Sequence, residues 1–203
     1  MIRQFGEGAI LVDGLGSAEA AQALAASIRA DPPPGVLEAV PGLSSLLVEL
    51  NPLTAEQERI TAELERRMAR PARRSAPARL HTIAVTYDGP DLDEVAALCG
   101  LASRDVVELH ASVELRVLFC GFAPGFAYLG ELPPVLRVDR LATPRTRTPA
   151  GSVAIAGSMS AIYPVELPGG WRVIGHAEIS LFDPRQDPPA LLLPGDHVRF
   201  EPA

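Results

Sequence analysis

The sequence predicts two successive domains, an α+β domain followed by a mainly-β barrel. The chain has 203 residues, enough for one large domain or two small ones. Residues 70–79 are rich in proline, alanine and arginine and carry no apolar period, which is typical of a solvated linker. After this stretch, short apolar runs alternate with glycine and proline turns, the pattern of a closed barrel. We therefore expect a first domain over residues 1–75, a linker over 76–80 and a second domain over 81–203.

The first domain is predicted to follow the order β-α-β-β-α. Its two helices begin after capping signals, one at Ser17 and one at the capping box formed by Thr54 and Gln57. The strands are short apolar runs, at residues 9–12, 36–40 and 44–50. This order favours a ferredoxin-like sheet with both helices on one face. Nothing in this domain indicates catalysis.

The second domain is predicted to begin with a strand from His81 to Tyr87 and a turn at residues 88–90. Asp91 can cap a short helix that ends at Gly100, and Ser103 can cap another. The later strands are expected at the remaining apolar runs, at residues 115–120, 152–156, 171–175, 179–182 and 197–200.

Composition excludes several classes of protein. The 18 basic residues are all arginine and face 25 acidic ones, for a net charge of −7. A chain without lysine has no Walker A lysine, Schiff-base lysine or biotinylated lysine. The negative charge disfavours a general nucleic-acid binder. The N-terminus has no apolar stretch typical of a signal peptide, and no run is long enough to span a membrane. With two cysteines, the chain is expected to be cytoplasmic, with reduced thiols and no metal site.

Three segments are too rich in glycine, proline and aromatic residues for simple turns, at residues 119–130, 143–157 and 162–171. Glycine permits close approach of a ligand to the backbone, and aromatic rings supply flat apolar walls. Arg145 and Arg147 are two residues apart, so both point to one face of an extended segment. Two guanidinium groups there could clamp a carboxylate or phosphate, with backbone N–H groups of residues 150–152. Alternatively, they are a surface pair that faces neighbouring acidic residues.

Other side chains carry weaker signals. Asp88 stands in a turn next to Tyr87, where it could act as an acid–base group or only stabilise the turn. Cys120 could be a nucleophile or a buried structural thiol. The four histidines show no metal-ligand spacing.

The aromatic segments carry a resemblance to a known family. The motifs are Phe122 to Leu129, Pro144-Arg145, Gly151 to Gly157, Ile162-Tyr163-Pro164 and Pro168-Gly169-Gly170-Trp171, preceded by Tyr87 to Leu92. Over nearly the whole chain, this series resembles the B subunit of prokaryotic 5-oxoprolinase. That family has also been named allophanate hydrolase subunit 1 and an inhibitor of a sensor histidine kinase. One stretch departs from the family pattern, since Ser158 to Ala161 stand where Gln-Thr-Gly is usual.

The resemblance implies a ferredoxin-like first domain and a cyclophilin-like, carboxyltransferase-type barrel. It implies a subunit of an enzyme that uses ATP, with magnesium, to open 5-oxo-L-proline to L-glutamate. The expected partners are a related C subunit plus an A subunit, one of which could hold or share the ATP. Without lysine, this chain carries no biotin. The alternatives are the kinase inhibitor and a subunit of allophanate hydrolase or of a biotin-dependent carboxyltransferase.

These considerations give a set of candidate site residues. Asp88 and Tyr128 are the candidate catalytic residues. The candidate substrate-binding residues combine the arginines with the glycine-rich and aromatic positions: Arg145, Arg147, Gly151, Ser152, Phe122, Pro124, Gly125, Tyr163, Gly170 and Trp171.

Overall fold

A computed structural model describes residues 1–69 and 78–203 of the chain. The chain forms two compact units, Met1–Pro77 and Ala78–Ala203. Most of the proline- and arginine-rich stretch, and part of the predicted linker at 76–80, lie outside the described residues. The first strand of the second unit begins at Leu80.

The first unit contains the five predicted elements and one further strand, β1 (Ile2–Gln4), at its N-terminus. The predicted elements are β2 (Ala9–Val12), α1 (Ala18–Ala30), β3 (Val36–Pro41), β4 (Leu46–Leu50) and α2 (Gln57–Met68). The strands form an antiparallel sheet in the order β1-β2-β4-β3. Ile28 of α1 and Leu64 of α2 are buried in one core with Val48 of β4. The apolar period of each element therefore marks the face that it buries.

The two helix starts in this unit differ from each other. The prediction for α1 is confirmed, because Ser17 Oγ accepts the N–H of Ala20 at 3.2 Å. The capping box predicted for α2 is wrong, since Glu56 is the N-cap residue and no side chain caps the helix. Thr54 instead belongs to a preceding turn, where its N–H donates to the Asn51 carbonyl.

The second unit is mostly β. Its elements are β5 (Leu80–Val85), α3 (Leu92–Cys99), α4 (Ser103–Ala111), β6 (Glu114–Cys120), β7 (Ala127–Gly130), β8 (Arg145–Thr148), β9 (Ser152–Ala156), β10 (Met159–Ile162), β11 (Leu167–Gly169), β12 (Arg172–His176) and β13 (His197–Pro202). One seven-stranded sheet runs in the order β12-β9-β10-β7-β6-β13-β5, and β8 pairs with β11 in a small separate sheet. The expectation of a mainly-β, barrel-like second part is confirmed.

The large sheet curls until its two edges meet. Just after β5, Thr86 pairs with His176 of β12 through two backbone hydrogen bonds of 2.8 and 2.9 Å. The next residues extend the contact, since Gly89 N–H donates to the Ile174 carbonyl and Asp91 N–H to the Val173 carbonyl. The sheet is therefore a nearly closed barrel, with the apolar side chains of alternate residues inside.

Three local expectations for the second unit are wrong. Residues 179–182 form no strand and make only one bridge, from Phe182 to Ala190. Ser103 does not cap α4, because Ala102 is the N-cap residue and the Ser103 hydroxyl donates to Asp93 at 2.6 Å. Asp91 occupies the N-cap of α3 but makes no capping hydrogen bond, because its carboxylate has other partners.

Candidate functional site

Six aromatic side chains from the predicted segments form one cluster on the second unit. We call Phe119, Phe122, Phe126, Tyr128, Tyr163 and Trp171 the aromatic cluster. Phe126 lies at its centre, with ring centroids 5.0 Å from Tyr128, 5.4 Å from Tyr163 and 6.1 Å from Trp171. Phe126 is buried and contacts the predicted rings, but it was not among the candidate residues predicted from the sequence. The structure thus brings together four predicted site residues, Phe122, Tyr128, Tyr163 and Trp171.

Small residues on the sheet make room for these rings. Val153 and Ile155 of β9 face the barrel core, whereas Ala154 and Ala156 pack against the aromatic cluster. This follows from the alternation of side chains along a strand. Gly169 of β11 contributes in the same way, because a Cβ atom there would overlap the hydroxyl of Tyr163. The cluster therefore covers the face of β9 that points away from the barrel core.

The loop that carries Phe122 is conformationally strained. Phe122 has φ of 74°, in the left-handed region that non-glycine residues rarely adopt, and it is 61% exposed. The loop is fixed by hydrogen bonds from Gly121 N–H to the Phe126 carbonyl and from Phe126 N–H to the Ala123 carbonyl. Pro124 is exposed in it, and Gly125 approaches the Leu181 carbonyl so closely that a Cβ atom would not fit. Backbone conformations of this kind cluster at functional sites.

The two predicted clamp arginines each have their own carboxylate partner. Arg145 Nη2 donates to Asp91 Oδ1 at 2.5 Å, and Arg147 Nε lies 3.6 Å from Glu166 Oε1. The Asp91 side chain is buried, whereas Arg147 is 79% exposed. An incoming anion would have to compete with both carboxylates. The clamp remains a prediction, and the structure pairs its members with acidic side chains.

The remaining predicted residues lie at turns and strand ends of the second unit. Gly151 N–H donates to the Tyr163 carbonyl at 2.8 Å, and Ser152 N–H donates to the Pro149 carbonyl at 3.3 Å. These two backbone groups are therefore already bonded within the chain. The Gly170 carbonyl accepts the N–H of Leu141 at 2.7 Å. Asp88 is exposed in the turn after β5.

Arg140 is a basic residue at this face that sequence analysis missed. Its guanidinium carbon lies 6.0 Å from the centroid of the Trp171 ring. Burial raises the pKa of Tyr128 and the pKa of Tyr163, and the positive charge of Arg140 lowers both again in part. Both hydroxyls therefore lie within electrostatic reach of this arginine and stay protonated at neutral pH. No period or spacing marks Arg140, which follows the apolar Leu136 and Val138 in a loop.

A second polar arrangement lies inside the barrel. His110 of α4 is completely buried, with Nδ1 2.8 Å from Tyr87 Oη and Nε2 2.9 Å from Ser160 Oγ. Ser160 Oγ donates to the Ala154 carbonyl at 3.3 Å, so it accepts the proton of His110 Nε2, and Tyr87 donates to Nδ1. Ser160 belongs to the stretch that departs from the family pattern. The chain of hydrogen bonds fixes one neutral tautomer of His110.

We expect this neutral histidine to make the protein less stable in acid. Burial lowers the pKa of His110 to about 3, whereas an exposed histidine titrates near 6.5. Between these values the unfolded chain binds a proton and the folded chain does not, so the free energy of unfolding decreases by about 1.4 kcal/mol for each unit by which the pH is lowered. Urea unfolding from pH 8 to pH 5 would measure this slope. His110→Gln should reduce it, and the exposed-site control His176→Gln should leave it unchanged.

The thiol of Cys120 is not suited to act as a nucleophile. Burial, with a smaller contribution from the negative charge of Asp196, raises its pKa to about 11. Its Sγ lies 3.6 Å from the Leu192 carbonyl. A thiol with such a pKa stays protonated at neutral pH. Burial also raises the pKa of Cys99.

The first unit contains a polar groove of about 310 Å³ beside residues Pro32–Pro34. Its charged side chains pair with one another, as in the contacts of Glu63 with Arg66 and Arg67. None of the predicted site residues lies in this unit.

Comparison with known proteins identifies the family. Residues 1–192 match the family described as carboxyltransferase domain, subdomain C and D. The chain belongs to this family. A relative from Escherichia coli O157:H7, named as the B subunit of 5-oxoprolinase, is 49% identical over 83% of this chain and 79% of its own length. A relative of the same name from Bacillus subtilis is 37% identical over 88% of this chain and 80% of its own length.

Solved structures support the fold of this family member. The crystal structure of TTHA0988 superposes with a TM-score of 0.85 at 39% identity and covers the whole chain. This chain spans 40% of TTHA0988. The Kluyveromyces lactis urea carboxylase superposes with a TM-score of 0.79 at 20% identity. The superposition covers the whole of this chain and 21% of the urea carboxylase chain, and at this identity it supports the fold alone.

Among residues 1–69 and 78–203, no helix is both long and apolar enough to cross a membrane. The same ranges contain no group of three or more histidine, cysteine, aspartate or glutamate side chains placed to hold a metal ion.

Proposed function

We propose that this chain is the B subunit of a 5-oxoprolinase, an enzyme that opens 5-oxo-L-proline to L-glutamate at the expense of ATP. The observation that carries the proposal is the 49% identity, over 83% of the chain, to a protein of that name. The relative from Bacillus subtilis supports it independently. The chain would act as one part of a hydrolase complex.

The chemistry requires the activation of a stable amide. Transfer of the γ-phosphoryl group of ATP to the lactam oxygen would weaken the ring amide and leave ADP. Water would then attack the activated carbon, the ring C–N bond would break, and the nitrogen would take a proton. A second water would hydrolyse the resulting acyl phosphate to glutamate and phosphate. The carboxylate of the substrate and the phosphoryl group are both anions, which calls for basic and hydroxyl donors in the site.

The aromatic cluster suits the substrate half of this reaction. It offers apolar ring surfaces, with hydroxyls and one cation at its edge, on a rigid β scaffold. A flat five-membered lactam is complementary to such a surface. We place the substrate here, with Tyr128 and Trp171 beside it. Asp88 remains a candidate catalytic residue.

The partners and the nucleotide site belong to the same proposal. The name of the relatives implies further subunits, and we propose that this chain assembles in the cytoplasm with the related C subunit, together with the A subunit. ATP, with magnesium, would be bound at or shared with another subunit. The strand order of the first unit supports a ferredoxin-like domain, and the barrel supports a cyclophilin-like one. No observation favours the kinase inhibitor, the allophanate hydrolase or the carboxyltransferase over the oxoprolinase.

A coupled assay for ADP and glutamate tests the proposed function. The purified chain would be assayed alone and co-expressed with its partner subunits, with 5-oxo-L-proline and Mg-ATP. We expect glutamate only from the assembled complex. ATP hydrolysis without glutamate would point to another amide substrate, and an intact complex without turnover would contradict the proposal.

A further inference from the structure

Arg140 differs from the basic residues around it in having no carboxylate partner. Four other arginines lie in the same loop as Arg140 or in the strands β8 and β12. Each of them forms an ion pair: Arg137 with Glu131, Arg145 with Asp91, Arg147 with Glu166, and Arg172 with Glu94. Among residues 1–69 and 78–203, no carboxylate pairs with Arg140. Its charge is therefore available to an external anion.

The backbone on both sides of Arg140 is fixed to the barrel. The Asp139 carbonyl accepts Arg172 Nε–H at 2.9 Å, and Leu141 N–H donates to the Gly170 carbonyl at 2.7 Å. One residue earlier, the Val138 carbonyl accepts the N–H of Gly157 at 2.7 Å. The segment thus fixes the backbone from which the Arg140 side chain extends over Trp171, so only the side chain has to be ordered on binding.

A second hydrogen-bond donor approaches the same tryptophan ring, within electrostatic reach of Arg140. The Tyr128 ring is 5.7 Å from Trp171, whose ring Arg140 overlies. Its hydroxyl has no hydrogen-bond partner in the part of the chain that the structure describes. The Tyr163 hydroxyl is different, since the Thr148 side chain and the Trp171 backbone already lie against it and lower its pKa. The available donors at this edge are therefore a guanidinium group and one phenol.

We infer that Arg140 and the Tyr128 hydroxyl together bind the carboxylate of a small cyclic amide. This inference rests on the proposed function and gives its substrate site a defined anion pocket. A guanidinium fork and a phenol both donate, and a carboxylate only accepts, so the two sides match. The stacked, half-buried rings of Tyr128 and Phe119 supply the apolar contact for the lactam. Arg145 is less suited, because a ligand would have to displace the buried carboxylate of Asp91.

Trp171 provides a direct measurement of binding to the isolated chain. It is the only tryptophan in the sequence and is buried beneath Arg140, so an anion at that guanidinium should change its fluorescence. The chain would be titrated with 5-oxo-L-proline and with 2-pyrrolidinone, which has the same ring but no carboxylate. We expect Arg140→Ala to weaken the binding of 5-oxo-L-proline by about 10- to 100-fold and to leave the binding of 2-pyrrolidinone unchanged. Tyr128→Phe should weaken the binding of 5-oxo-L-proline by about 3- to 10-fold.

Arg137→Ala is the matched control. This arginine lies three residues earlier, is exposed and pairs with Glu131, so its loss should not alter either titration. Unchanged binding of 5-oxo-L-proline by Arg140→Ala would overturn the inference. An equal loss of affinity for both ligands would also overturn it, because Arg140 would then not recognise the carboxylate. A comparable loss in Arg147→Ala would place the anion at the predicted clamp instead.

Kinetics of the assembled complex separate this inference from the proposed function. We expect Arg140→Ala to raise KM for 5-oxo-L-proline by about 10- to 100-fold, with KM for ATP unchanged. Wild-type turnover together with an unchanged KM in the variant would overturn the anion pocket and leave the function standing. No glutamate from the wild-type complex would contradict the function, and the titrations would then decide the pocket alone. Absence of binding by both chain and complex would overturn both.

Discussion

Asp91→Ala is expected to destabilise the second unit by about 3–5 kcal/mol, because it leaves a partly buried arginine without its counter-ion. The Asp91 side chain is 6% exposed and accepts two hydrogen bonds, one from Arg145 Nη2 at 2.5 Å and one from Val173 N–H at 2.7 Å. Arg145 Nη1 is buried and has no hydrogen-bond partner among the described residues. Removing the carboxylate thus leaves both a cation and a strand N–H unsatisfied. Urea unfolding at pH 7 would measure the loss.

The neighbouring exposed pair supplies the control for this measurement. Glu166→Ala removes the partner of Arg147, and both side chains are more than half exposed. Exposed ion pairs contribute about 0–1 kcal/mol, so this variant should unfold close to the wild type. Asp91→Ala with Arg145→Leu should recover part of the loss, because the uncompensated charge is gone. A loss below about 1 kcal/mol in the single variant would contradict the importance assigned to the pair.

Asp91 also shows where sequence reasoning failed. A short polar residue before a helix predicts a cap, and the rule uses only neighbours in the chain. The partner that competes for the carboxylate is Arg145, which is 54 positions away. A guanidinium group binds a carboxylate more strongly than a helix N–H does, so the tertiary contact prevails. Ser103 failed in the same way, since its hydroxyl donates to Asp93 of the preceding helix.

The aromatic cluster could be predicted because its signal is local composition. Rings and glycines concentrate in three segments, and the barrel brings those segments to one face. Arg140 could not be predicted, because it differs from the neighbouring arginines only in having no carboxylate partner among the described residues. Such pairing is a tertiary contact, which the sequence does not show. The strand that holds Arg145 and Arg147, β8, was not predicted, and their spacing carried no information about the carboxylate that each of them meets. Local patterns thus located the surface, and tertiary pairing distinguished its charges.

Gly89→Ala is expected to destabilise the barrel by about 3 kcal/mol or more, at the seam where its edges meet. A Cβ atom on Gly89 would overlap the backbone of Val173 and Ile174 and lie 2.5 Å from the nitrogen of Gly175. These neighbours are backbone atoms of β12, which cannot avoid the contact by changing rotamer as a side chain could. The methyl group would therefore force the strands apart and break the hydrogen bond from Gly89 N–H to the Ile174 carbonyl. Thermal and urea unfolding would report the change.

Gly121→Ala separates this effect from the general cost of replacing a glycine. Neither Gly89 nor Gly121 has a φ in the left-handed region, so backbone strain is excluded at both positions. A Cβ atom on Gly121 would meet nothing within 4 Å, and alanine also lowers the entropy of the unfolded chain. We therefore expect Gly121→Ala to be neutral within about 0.5 kcal/mol. Equal stability of the two variants would mean that the contact between β5 and β12 is loose enough to admit a methyl group, and the barrel would then be open at this seam.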